Sequence, residues 1–134
     1  MGRRLHSVTL DRAHESLRAA ELCLAERLVN SAASRAYYAM FQAAQVALRV
    51  VHVARIEWTH SALQAAFVTE LIRRRKVYPA AFAEYLSSGL HSRQLADYSA
   101  GGVSRRVAQR LTRRAATLVA AVEREVSDGS RSRE

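Results

Sequence analysis

Cysteine, proline and glycine are scarce in this chain of 134 residues, which has one cysteine, one proline and five glycines. The lone Cys23 excludes an intrachain disulfide and a cysteine-based metal site, and fits a reducing compartment. A protein with many strands needs many tight turns, and glycine and proline are common residues in such turns. Their scarcity therefore argues against a protein with many strands. With 49% hydrophobic residues, the composition predicts an all-α protein with one compact core.

Long apolar runs and common cofactor motifs are also missing. The N-terminal segment "MGRRLHSVTLDRAHESL" has no apolar stretch of the secretory-signal kind, and no run elsewhere approaches membrane-spanning length. Phosphate-loop, dinucleotide, nucleophile-elbow and metal-ligand motifs do not occur in the sequence. We therefore expect a soluble, cytoplasmic protein that needs no cofactor, no metal and no membrane.

The spacing of apolar residues predicts an up-and-down bundle of four to five helices over residues 9–127. Residues 1–8 are expected to form an N-terminal arm, and the polar residues 128–134 a disordered tail. The predicted helices run from about Leu10 to Leu28 with Thr9 as N-cap, from Ala32 to Val51, from a cap at Thr59 through "RRRK", from Pro79 to the "SAGG" break, and from Ser104 to Val126.

The second predicted helix carries a stripe of small residues beside its bulky core face. Such a stripe lets another helix approach closely, and it consists of Ala32, Ala36, Ala39, Ala43 and Ala47. A third, polar face holds Arg35 and Tyr38, a pair that suits the wall of a binding site. Solvated surface is the alternative interpretation of that face.

Positive charge is concentrated in one part of the chain. The net charge is +9, and the segment from Ile72 to Arg114 has ten basic and two acidic residues. Such clustering favours an anionic partner, either phosphate chains or an acidic protein. The predicted basic surface comprises Arg73, Arg74, Arg75, Lys76, Arg105, Arg106, Arg110, Arg113 and Arg114.

The stretch "HSRQLADYSAGG", residues 91–102, holds the most reactive combination of side chains. Arg93 and Asp97 are four residues apart, so on a helix they form an ion pair, while Tyr98 is directed roughly 140° away from Arg93. A distorted last turn would bring Arg93 and Tyr98 to one pocket. His60, in the first turn of the third helix, is a candidate anion ligand because free backbone N–H groups lie there.

Three segments together resemble the HEPN domains (higher eukaryotes and prokaryotes nucleotide-binding). They are "NSAASRAYYAMFQAAQVALR", "WTHSALQAAF" and "RQLADY", the last followed by a Ser-capped helix, and they are most similar to the small stand-alone prokaryotic group with an Arg-x-x-Ala-Asp-Tyr signature. The resemblance implies a helical bundle that forms homodimers, with the motif regions of both subunits facing a shared cleft. It also implies RNA or nucleotide as ligand and a role in toxin–antitoxin or phage-defence modules, some of which include a nucleotidyltransferase.

Many HEPN domains are metal-independent ribonucleases in which an Arg and a following His act on the scissile phosphate. Here Arg93 matches that arginine, but Tyr98 stands where the histidine is expected. A tyrosine, whose pKa is about 10, exchanges protons poorly near neutrality. The sequence therefore leaves open whether any cleavage, even weak, occurs.

The resemblance suggests a role for each residue of the motif. Arg93 would hold a phosphate and Asp97 would orient Arg93, while Tyr98 would hydrogen-bond, stack on a base or accept a nucleotidyl group. Arg35, Tyr38 and His60 would support this centre.

Two other hypotheses stay open. A non-catalytic interaction subunit would dock a nucleotidyltransferase or another acidic protein through the basic surface. Alternatively, Arg93 and Asp97 would only stabilise the end of a helix.

Overall fold

The computed structural model describes residues 2–132, with side chains described for residues 10–128. Within these residues the chain forms five α-helices and no strand. Their bounds are α1 Gly2–Ala25, α2 Val29–Val50, α3 His60–Ala66, α4 Ala81–Tyr98 and α5 Arg105–Ser132, and α3 continues directly into a π-helix, Phe67–Arg74. The predicted all-α bundle is confirmed, and no helix in the described part of the chain is long and apolar enough to span a membrane.

Helix α2 lies at the centre of the bundle and packs against α1, α4 and α5. All five alanines of its predicted small-residue stripe are buried, as are Tyr37 and Leu48 on its bulky face. Because small side chains keep the helix axes close together, three helices can share the surface of α2. The core therefore forms around α2.

Gly89 marks the closest approach of α4 to α2. A Cβ atom at this position would lie 2.7 Å from Met40 Cε and 3.3 Å from Tyr37 Cδ1. The missing side chain thus lets α4 settle against α2 one turn before Arg93. The close approach of the two helices at Gly89 therefore places Arg93 of α4 beside the Tyr38 ring of α2.

Two predicted helix starts are confirmed by their capping hydrogen bonds. Thr59 Oγ1 accepts from the N–H of Ala62 at 3.1 Å, and Ser104 Oγ accepts from the N–H of Val107 at 3.1 Å. Each bond satisfies a backbone donor that the first turn leaves free.

Other predicted bounds were wrong. Helix α1 begins at Gly2 rather than after Thr9, and α5 extends to Ser132 rather than ending near Val126. Apolar periodicity disappears where a helix leaves the core, although an exposed polar segment can continue the helix. The division into arm, bundle and tail stays a prediction.

The third helix also departs from the expected regular α-helix. From Phe67 to Arg74 it is a π-helix, and the N–H of Arg75 bonds to Glu70 O, five residues back. Phe67 and Leu71 of this segment are both buried. Phe67 and Leu71 are four residues apart, and at that spacing both side chains face the core in an α-helix as well as in a π-helix. The apolar pattern alone therefore could not reveal the wider turn of the π-helix.

The loop between α4 and α5 is attached to the start of α2. Asn30 Oδ1 accepts a hydrogen bond of 2.9 Å from the N–H of Val103. Gly102 has φ of 63°, and a Cβ there would collide with the Asn30 side chain. Only glycine adopts this conformation without strain and leaves room for Asn30.

Gly102→Ala should destabilise the protein by about 1–2 kcal/mol, because an L-residue is strained at positive φ and because Asn30 must move. Urea unfolding followed by circular dichroism measures the change. Gly101→Ala is the matched control, since a Cβ there meets no atom within 4 Å. Equal stability losses in the two variants would contradict the assigned role of Gly102.

Candidate functional site

Arg93, on the last part of α4, is held beside Asp97. Its side chain is only 15% exposed, and Nε lies 3.2 Å from Asp97 Oδ2, so the predicted ion pair is present. The Nε–H is nevertheless buried without a hydrogen-bond partner among the described residues, because its direction does not suit the carboxylate oxygen. The contact with Asp97 is therefore electrostatic, and it leaves the donor capacity of the guanidinium largely unused.

Two arginines approach the ring of Tyr38 on α2. The Cζ atoms of Arg35 and Arg93 are 5.4 Å and 5.3 Å from the centre of its ring. Both distances are within the range of cation–π attraction, which keeps each guanidinium near the ring. Two positive charges gathered around one ring favour a bound anion.

Tyr98 is the last residue of α4 and is 78% exposed. The helix stays regular up to Tyr98, so the distorted last turn considered for this stretch is not needed. Arg93 Cζ still lies 6.0 Å from the Tyr98 ring centre, because both side chains are long. An exposed ring beside an arginine is available for stacking on a base.

An open groove runs along these residues between α1, α2 and the end of α4. Of the predicted site residues, Arg35, Asp97 and Tyr98 line it directly. The other polar lining residues were not singled out by the sequence pattern; they are Cys23 on α1 and Asn30, Ser31 and Ser34 at the start of α2. Asparagine and serine at the start of a helix are so common as caps that they gave no separate signal.

His60 lies in the first turn of α3, as predicted, and its side chain packs against aromatic residues of α2. Its Nδ1 is 2.7 Å from the hydroxyl oxygen of Tyr37, and its ring centre is 4.9 Å from that of Phe41. Burial lowers the pKa of His60, and the positive charge of Arg93 lowers it further. The imidazole is thus held against α2, and its surroundings favour the neutral form.

Tyr37 is the functional-site neighbour that sequence analysis missed, because its position in the apolar pattern marked it only as core. It is fully buried, and burial raises the pKa of its hydroxyl far above the ordinary value. The charge of Arg93 acts in the opposite direction on the same pKa. Arg93, Tyr37 and His60 therefore form one electrostatically coupled cluster.

The predicted basic surface consists of two separate groups. Arg73, Arg74, Arg75 and Lys76 are exposed near the end of the π-helix. Glu70 pairs there with Arg74 at 3.3 Å and with Arg75 at 2.5 Å, and these contacts lower the pKa of Glu70. This first group is partly neutralised.

The second group lies on α5, where Arg105, Arg106, Arg110 and Arg113 are exposed. Arg114 differs, because its Nη1 donates to Ser88 Oγ at 3.1 Å and its Cζ lies 4.9 Å from the Tyr85 ring centre. It therefore joins α5 to α4.

In the described part of the chain, no three His, Cys, Asp or Glu side chains are grouped as metal ligands would be.

Arg93→Gln should raise the pKa of His60, because it removes the positive charge that disfavours the imidazolium. Titration of the His60 ring protons by NMR measures the shift. Arg35→Gln is the control: it also removes an arginine from the Tyr38 ring, but Arg35 does not contribute to the pKa shift of His60. An unchanged His60 pKa in Arg93→Gln would refute the coupling.

Comparison with known proteins agrees with this architecture. The family model of the HEPN domain matches residues 7–125, which is nearly the whole chain. The search of curated proteins finds no match. The matched segment contains α2, α3 and α4 entirely, most of α1 and α5, and every residue of the groove, and the chain therefore belongs to the HEPN family.

Proposed function

We propose that this HEPN protein binds RNA, or a nucleotide, in the groove beside Arg93. HEPN domains are associated with nucleotide- and RNA-related functions, often in toxin or defence modules. The observation that carries the proposal is the environment of Arg93. Its guanidinium is positioned by Asp97 and Tyr38, yet no described residue hydrogen-bonds to its Nε–H.

The ligand is held through its phosphate and its base. Arg93 offers paired donors of fixed charge to phosphate oxygens, and Arg35 adds a second positive charge beside the Tyr38 ring. Asp97 limits the rotation of Arg93, while the exposed Tyr98 ring stacks on a base. The four residues thus supply charge, orientation and stacking in one groove.

The exposed arginines in the first half of α5, Arg105, Arg106, Arg110 and Arg113, extend this site into a path for a longer RNA backbone. Phosphate contacts by arginine release counterions, so affinity should fall steeply with salt if RNA is the ligand. A mononucleotide would contact fewer cations and show a weaker salt dependence. The charge of the chain, +9, favours the longer ligand.

The biological setting proposed here follows from the family. The protein acts as a homodimer in the cytoplasm, within a toxin–antitoxin or phage-defence module. A nucleotidyltransferase is the proposed protein partner, with Tyr98 as the acceptor of the nucleotidyl group. The high exposure of Tyr98, 78%, supports that assignment, because a modifying enzyme must reach the hydroxyl.

Arg93→Ala should weaken RNA binding at least about tenfold, the effect of losing one charge-assisted contact. Tyr98→Ala should weaken it by a similar factor through lost stacking. Fluorescence anisotropy with a labelled single-stranded RNA of randomised sequence measures both. Arg124→Ala is the control, because Arg124 is exposed on α5 outside the groove residues.

Thermal unfolding checks that Arg93→Ala remains folded, and Arg93→Lys serves where it does not, since lysine keeps the charge but loses the paired donors. Unchanged RNA and nucleotide affinity in a folded Arg93 variant would refute the proposed site.

A protein-docking role is the second candidate function. It is favoured by Arg106, Arg110 and Arg113, which are exposed and form no ion pair with any side chain of residues 10–128. Charge reversal at these three positions should abolish co-purification with an acidic partner. A protein that binds such a partner but has no affinity for RNA or nucleotide would establish this role instead.

A further inference from the structure

We propose that a small cavity between α4 and α5 binds a terminal phosphate group, independently of the groove beside Arg93. The cavity has a volume of about 130 Å³. Pockets that enclose drug-sized ligands measure roughly 300–1,000 Å³, so this cavity takes a single small group. Its polar lining includes Ser88 and Ser92 from α4 and Arg110 and Arg114 from α5.

The side chains of this lining match the chemistry of a phosphate monoester. Such a group has three acceptor oxygens and a charge of about −1.5 to −2 at neutral pH. Each arginine offers paired donors of fixed charge, and each serine hydroxyl offers one further donor. A phosphate inside an RNA chain has a strand leaving on both sides, whereas a terminal phosphate has one substituent and fits a partly enclosed cavity better.

Arg114 is held in place by a column of stacked aromatic rings that begins in the core. Phe67, Tyr78, Phe82 and Tyr85 follow one another at 5.4, 5.9 and 5.2 Å between ring centres. The Cζ atom of Arg114 lies 4.9 Å from the centre of the last ring. Phe67 is fully buried, whereas the Arg114 side chain is 27% exposed. The side-chain freedom that ligand binding would otherwise remove is therefore already lost in the folded protein.

The hydrogen bonds of the lining leave donors available for a ligand. Arg114 Nη1 donates to Ser88 Oγ at 3.1 Å, so Ser88 acts as an acceptor and keeps its own O–H. Arg110 is exposed and forms no hydrogen bond or ion pair with any side chain of residues 10–128. The cavity thus contains a fixed guanidinium, a second guanidinium that is free to turn inward, and a free hydroxyl.

The charges around the cavity are mainly positive. Residues 105–122 of α5 include five arginines and no acidic residue. Glu84 is the only carboxylate in the lining, and its Oε1 is 3.9 Å from Arg114 Nη1, beyond hydrogen-bond distance. Because the Glu84 side chain is 65% exposed, it can turn into solvent when an anion enters. Glu84 therefore weakens anion binding without preventing it.

The cavity and the groove lie on different sides of α4. Neighbouring residues of a helix are rotated by about 100°, so Ser92 lines the cavity while the next residue, Arg93, approaches Tyr38 on α2. No residue lines both the cavity and the groove. The two sites can therefore be tested separately.

NMR titration of the whole protein with inorganic phosphate tests the site, and sodium chloride at equal ionic strength controls for screening. We expect saturable shifts of the amide signals of Ser88, Ser92, Arg110 and Arg114 with phosphate only. Arg110→Gln should weaken binding about tenfold, the effect of losing charge-assisted hydrogen bonds. The fold is at little risk, because Arg110 is exposed. Arg124→Gln is the matched control, since it removes the same charge from an exposed position of α5 outside the cavity.

Glu84→Gln should have the opposite effect and strengthen phosphate binding about threefold, the scale of one exposed charge interaction. Glu57→Gln is its control, because it changes the net charge equally from an exposed loop position outside the cavity. Equal gains in the two variants would show general attraction by the whole charge instead of a site.

Two RNAs of one sequence, with a 5′-phosphate or a 5′-hydroxyl, distinguish the sources of the phosphate by fluorescence anisotropy. If an RNA end is the ligand, the phosphorylated RNA should bind at least about fivefold more tightly, because its phosphate adds charge-assisted hydrogen bonds. Arg110→Gln should abolish this difference. Equal affinity of the two RNAs, with adenosine monophosphate shifting the same four amide signals, would assign the cavity to a free nucleotide.

Three results would overturn the proposal. They are the absence of saturable phosphate shifts, shifts confined to the groove beside Arg93, and equal weakening by Arg110→Gln and Arg124→Gln. None of them bears on the binding function proposed for the groove, which the Arg93 variants test. Conversely, failure of that function leaves the phosphate titration of the cavity unaffected.

Discussion

The close packing of helices around α2 is the constraint on which the rest of the structure depends. Its alanine stripe is fully buried, and Gly89 lets α4 approach without a side chain between the two helices. A larger residue at any of these places would separate the axes. Because the helices are so close, Arg93 of α4 reaches the Tyr38 ring, and His60 of α3 reaches the Tyr37 hydroxyl.

This packing places adjacent tyrosines of α2 in different chemical environments. Tyr37 faces the core and fixes His60 through a buried hydroxyl, whereas Tyr38 is half-buried and has two guanidinium groups near its ring. Arg93 is close to both rings, so its charge influences the pKa of Tyr37 and of His60. One arginine thereby links the environment of a core hydrogen bond to that of the residues that line an open groove.

Several contacts around Arg93 could be predicted from local sequence. Arg93 and Asp97 are four residues apart on one helix, so their ion pair follows from helix geometry, and Tyr38 was recognised because it shares a polar face with Arg35. The partner of His60 could not be predicted in this way. Apolar spacing marks Tyr37 as a core residue, but it does not show where a buried hydroxyl finds its hydrogen bond, since that depends on another helix.

The sequence by itself determined the all-α class, the order of the helices, the caps at Thr59 and Ser104 and the family, because each depends on local periodicity or a local motif. Only the tertiary structure decided that His60 contacts the Tyr37 hydroxyl near Arg93 and that Asn30 binds the loop beside Gly102. It also decided that Arg114 contacts Ser88 on α4 instead of belonging to the exposed basic surface. These contacts connect residues on different elements. Their distances depend on how closely the helices pack, and packing distance is a property of the whole bundle rather than of any one segment.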